Sequence, residues 1–121
     1  MADFVYLYWN RREDQARMAN STPEEKQKIT QKWMGWMDGL KKSGNLKDFG
    51  APLEFDGKTV EGAKKVVTDG PYAEAKDIVG GFSIITANSL NEAFELSKGC
   101  PILELNGIVE VRPIRPLQGL K

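Results

Sequence analysis

The sequence contains no histidine. That removes the side chain best suited to proton transfer near neutral pH and the commonest metal ligand. A Ser-His-Asp triad, a Cys-His dyad and a zinc site are excluded with it. Cysteine occurs once, at Cys100. An internal disulfide therefore cannot form, and a reducing cytoplasm is the expected compartment. An excess of either charge is missing too, because seventeen Lys and Arg balance seventeen Asp and Glu. Without a basic field, nothing draws the chain to nucleic acid or to an anionic membrane. No apolar run approaches a membrane span and no signal pattern opens the chain. Low-complexity segments, repeats and interdomain linkers are also lacking. What remains, at 121 residues with 40 % hydrophobic and 28 % charged side chains, is the composition of one soluble globular domain. Such a domain can bury a core of its own, yet is small enough to gain from dimerisation.

Residues 3–9, DFVYLYW, read as a strand rich in aromatic and branched side chains. Phe4, Tyr6 and Tyr8 share one face, and Val5, Leu7 and Trp9 the other. Both faces need cover. Helices of a small domain can cover one, so the other is expected to meet a second sheet, most economically from a second subunit. Residues 10–21 are polar and read as an exposed link. A helix then starts at Thr22 as N-cap, with Pro23 in the first helical position and Glu25 completing a capping box. Ile29, Trp33, Trp36, Met37 and Leu40 fall on one stripe, which makes the two tryptophans core residues rather than a ligand-stacking pair. Lys41 and Lys42 suit the C-terminal dipole, and Gly44 is the stop.

Between Asn45 and Lys65, short strands are expected near 46–49, 52–55 and 58–61, with a hairpin turn at Asp56-Gly57. These would form a flap or edge hairpin before a main strand at 64–68. Residues 79–87 form another strand, with Phe82, Ile84 and Thr86 on one face and Gly81, Ser83 and Ile85 on the other. Ser89 caps a second helix with Glu92 in the capping-box position, and Gly99 ends it. Cys100 reads as buried packing. The last strand, 107–114, places Val109 and Val111 on one face and Ile108, Glu110 and Arg112 on the other. The pattern β-α-β-(hairpin)-β-α-β is α+β and ferredoxin-like: an antiparallel sheet with two helices on one face.

Chemistry concentrates in VVTDGPYAEAKDIVGG, residues 66–81. Asp69-Gly70-Pro71 breaks a strand, and Tyr72, Glu74, Lys76 and Asp77 then crowd a phenol, two carboxylates and an ammonium into a polar connector. A solvated loop is the plain reading. The functional one is an acid–base set without histidine, in which a desolvated Asp69 or Glu74 acts as base and Tyr72 or Lys76 as donor. Glu110 and Arg112, two apart on one strand, read first as a structural ion pair. On a covered face Arg112 could instead grip a carboxylate or enolate with both arms of its guanidinium.

DGPYAEAKDIVGGFSIITANSLNEAFELSKGCPIL, continued by GIVEVRPI at 107–114, resembles the YCII-related family and in particular its DGPF branch. Tyr72 stands where that branch carries Phe, and Asp77 where it carries Glu. The resemblance runs from the first strand to Pro113. It implies pairing of two ferredoxin-like sheets as a dimeric α/β barrel, with one domain over residues 1–116 and a loose tail at 117–121. It also implies a pocket near the 69–77 connector, lined by Asp69, Pro71 and Glu74. Tyr72, Lys76, Ser83 and Arg112 join Pro71 as expected ligand-binding residues, with Asp69 and Glu74 as the catalytic candidates. A His–Asp pair associated with the family lacks its histidine here. Asn45 and Leu105 lie in stretches where related sequences often show one.

Three functions follow as expectations. The first is a homodimeric small-molecule-binding protein without a cofactor or metal. The second is a cofactor-independent enzyme acting on a small aromatic or lactone through Asp69 or Glu74. The third is an accessory protein of an extracytoplasmic-function sigma factor, a partner associated with DGPF-type relatives.

Overall fold

In the computed structural model, which describes residues 1–70 and 77–117, the first strand β1 runs from Ala2 to Arg11. Its alternation is realised: Phe4, Tyr6 and Tyr8 are buried, while Val5, Leu7 and Trp9 on the other face are only partly covered. The polar stretch that follows is not a plain link. It folds into a 3₁₀ turn, Arg12–Asp14, and a short helix α1, Gln15–Ala19, with no buried residue in either. Helix α2 spans Pro23–Lys42, and the Thr22 side chain accepts the Glu25 N–H at 3.1 Å as the capping motif requires. Met37 and Leu40 on its stripe are buried, and Trp33 and Trp36 pack against the same core.

Strand β2, Leu46–Pro52, is followed by β3, Lys58–Glu61, and β4, Val66–Asp69. Strand β5 covers Asp77–Ala87, helix α3 Leu90–Ser97 and strand β6 Ile108–Pro113, with a 3₁₀ turn at Pro101–Leu105. Ser89 caps α3 by accepting the Glu92 N–H at 3.1 Å. The main sheet has the order β2-β5-β1-β6 with every neighbour antiparallel. Counting its four strands alone, this is the 4-1-3-2 ferredoxin-like order, and the fold is α+β.

Here the structure corrects the sequence reading. The stretch expected as a main strand, 64–68, is not in the main sheet. Val66–Asp69 pairs only with Lys58–Glu61 in a separate two-stranded hairpin. The turn of that hairpin is not Asp56-Gly57. It lies at 62–65, where Gly62 and Lys65 take positive φ. The fourth place in the main sheet belongs to β2.

The core lies between one sheet face and the two long helices. Phe4, Tyr6 and Tyr8 from β1 and Ile85 and Ala87 from β5 meet Met37 and Leu40 from α2 and Ala93 from α3. Val109 and Val111 of β6 pack on the same side. Tyr6 stacks on Trp36, and Tyr8 meets Trp33 edge to face with ring centres 4.8 Å apart. Aromatic pairs in these geometries contribute about 0.5–1.5 kcal/mol beyond the area they bury. The phenols find acceptors inside the core, Tyr6 at the Ala93 carbonyl and Tyr8 at Ser83 Oγ. Burial pushes both phenols well above their usual pKa, so both stay protonated and donate. Cys100 is buried as well, its thiol pushed up to about 12 by desolvation, which is packing rather than nucleophilic behaviour.

Candidate functional site

With both long helices on one side, the other face of the four-stranded sheet is left open among the described residues. Registry places its residues in rows. Asp3 lies opposite Thr86, Val5 opposite Ile84 and Leu7 opposite Phe82 across the β1–β5 pair. Across β1–β6, Val5 lies opposite Arg112, Leu7 opposite Glu110 and Trp9 opposite Ile108. Because directly paired residues project to the same side, Val5, Leu7, Phe82, Ile84 and Ile108 form one continuous apolar field. Glu110 and Arg112 border it along β6, which is an edge strand.

The polar groups of this face are arranged unequally. Trp9 donates its indole N–H to Glu110 Oε1 at 3.0 Å. The Glu110–Arg112 ion pair expected from their spacing is not formed. Glu110 is engaged by the tryptophan instead, and the Arg112 side chain makes no hydrogen bond or ion pair among the described residues. At one end of the face, Asp3 accepts from Lys47 Nζ and, at 3.2 Å, from Thr86 Oγ1. At the other end, Arg11 pairs with Asp77 at 3.2 Å and donates to the Asn106 carbonyl. Asp77 is the first residue of β5, so this pair anchors the far foot of the polar connector to β1.

Lys47 holds the Asp3 carboxyl below its ordinary value of 3.8, chiefly by hydrogen bonding, with a smaller contribution from Thr86. A carboxyl depressed in the folded state stabilises fully above its unfolded value and loses that contribution as pH falls through the folded one. Lys47→Met should therefore lower the urea midpoint above pH 3.8, with the gap to wild type closing on further acidification. A gap that is constant through this range would show that the pair contributes packing and not charge.

The expected site residues do not come together in one place. Asp69 ends the exposed hairpin, its side chain 93 % exposed, 3.8 Å from Lys58. Ser83 projects to the helix-covered side, where its hydroxyl is fully buried, donates to the Phe49 carbonyl at 2.8 Å and accepts from Tyr8. Arg112 belongs to the open face. Ser83 and Arg112 are thus on opposite sides of the sheet. Pro71, Tyr72, Glu74 and Lys76 lie outside the described residues. Asn45 is buried and bonded to the Thr86 carbonyl and to Glu92, a joint between β2, β5 and α3. Leu105 closes the 3₁₀ turn before β6.

The sequence reading missed the Trp9–Glu110 bond. Its signal was present, since residues 9 and 110 fall on the faces assigned to them, but the register that joins them was not. Beyond the open face, a groove of about 430 Å³ runs between α3 and β6, lined by Leu90, Asn91, Phe94, Val109 and Val111. Among the described residues no three His, Cys, Asp or Glu side chains gather as metal ligands, and no helix is long and apolar enough to cross a membrane.

Compared with known proteins, residues 4–118 match the family model described as the YCII-related domain. No curated protein matches the chain.

Proposed function

The chain belongs to the YCII-related family, and from that premise we propose that it is a homodimeric small-molecule-binding protein of the DGPF type. Two copies pack open sheet face against open sheet face, as a dimeric α/β barrel built from one domain per chain over residues 1–116. The ligand lies between the two sheet faces, and the protein works in the cytoplasm. A single observation carries this reading: the face opposite the helices presents Val5, Leu7, Phe82, Ile84 and Ile108 with no element of its own chain laid across them among the described residues. Phe82 is exposed and the other four are only partly covered, so covering the face would bury further apolar area at about 25 cal/mol per Å². A contiguous patch of this kind marks an interaction surface. Binding is favoured over turnover because Asp69, one of the two candidate bases, stands almost fully in solvent, and Lys58, its ion-pair partner among the described residues, is exposed as well.

Native mass spectrometry of freshly purified protein, compared with its denatured mass, tests the reading. The expected spectrum is a dimer carrying a small extra mass that disappears on denaturation. A monomer without added mass would overturn it.

A further inference from the structure

Resting on the binding reading just given, we propose that the ligand is an apolar monocarboxylate and that Arg112 is the residue that holds its carboxylate. The charged groups of the open face are otherwise provided for. Asp3 has Lys47, Arg11 has Asp77, and Glu110 takes the Trp9 indole N–H. Arg112 has no partner among the described residues, although it stands directly across from Val5 at the border of the apolar field. In water an unpaired guanidinium is unremarkable. Once a second copy covers this face, it loses that solvent, and it cannot escape by losing its proton. A covered, unpaired charge is strongly destabilising, so the closed site requires an anion beside Arg112.

A planar carboxylate matches the guanidinium fork with two parallel hydrogen bonds. Val5, Leu7 and Ile84, reached from Arg112 along the same and adjacent rows, offer the floor for an apolar body. Glu110, two residues away on the same strand and face, sets the limit on charge. Its carboxylate is held in place by Trp9, so a second negative group on the ligand would meet repulsion there. One carboxylate on an apolar frame fits these constraints.

Benzoate and its neutral isostere benzamide separate the possibilities by calorimetric titration. The wild-type protein should bind benzoate at least tenfold more tightly than benzamide. Arg112→Gln should erase that preference while the protein stays dimeric by light scattering, and Arg112→Lys should keep part of it as a point charge without the fork. Equal affinity for the two probes overturns the carboxylate assignment while leaving small-molecule binding in place, and so does a preference that survives Arg112→Gln. Dissociation of the Arg112→Gln dimer would put the counter-ion on the second copy and overturn it as well. If neither probe binds, the ligand class falls, and the native mass spectrum decides whether the binding reading falls with it.

Discussion

Gly50→Ala is expected to destabilise the fold by about 3 kcal/mol or more and to lower the thermal midpoint by on the order of 10 °C. Gly50 sits in β2 with φ 74°, a conformation that side-chain-bearing residues rarely adopt. A methyl group placed there would lie 1.7 Å from the Phe82 carbonyl oxygen, which is backbone and cannot swing aside. The strand would have to lift from β5. Lifting it would also disturb the adjacent Phe49 carbonyl, which accepts the Ser83 hydroxyl inside the core. Circular dichroism melting of the purified variant gives the answer. A midpoint within a degree or two of wild type would mean that β2 is not held against β5 as described.

That same strand shows why part of the fold was hidden from sequence. LKDFGAP carries an aspartate, a glycine and a proline within seven residues and has no alternation to follow. It holds its place as an edge strand by breaking register twice against β5, between Leu46 and Asp48 and again before Ala51. VVTD, by contrast, has strong strand propensity, which predicts a strand of the main sheet. In the fold all four of its residues are exposed, and its partner is the equally polar KTVE. Propensity reports that a segment will be extended and is silent about which sheet it joins.

Where one face of an element is buried, the reading held. The β1 alternation, the stripe from Ile29 to Leu40, the two faces of β5 and the caps at Thr22 and Ser89 are each determined within a few residues of chain. The site was less legible because it depends on register between distant strands. Residues 9 and 110 meet only once β1 and β6 are aligned, and that alignment also leaves Arg112 opposite a valine rather than an acid. Spacing alone had paired it with Glu110.

Aspartate at position 5 and aspartate at position 111 should have different consequences, although both positions carry valine in neighbouring strands of one sheet. Val111 lies opposite Tyr6 and packs, partly buried, against the core on the helix side. Val111→Asp puts a carboxylate into this partly buried site and should destabilise the fold by about 1–3 kcal/mol, lowering the thermal midpoint without dissociating the dimer. Val5 is on the open face, opposite Arg112, which a new carboxylate can meet as a cross-strand pair. Val5→Asp should therefore fold. Because it charges the face proposed to meet the second copy, it should also shift the protein to monomer. Light scattering combined with circular dichroism separates the cases. A folded monomer is expected for Val5→Asp, and a dimer with a clearly lowered melting midpoint for Val111→Asp. A stable dimer of Val5→Asp would place the contact elsewhere, and an unchanged midpoint for Val111→Asp would contradict its packing on the core.

Isotope-filtered nuclear Overhauser spectra on a mixture of labelled and unlabelled chains address the open face itself, without any substitution. Methyl groups of Val5, Leu7, Ile84 and Ile108 should show contacts to the unlabelled copy, whereas those of Ile85, Val109 and Val111 should show none. Intermolecular contacts confined to Leu90 of the α3–β6 groove or to Val60 and Val67 of the exposed hairpin, or no contacts at all, would contradict a dimer closed over this sheet.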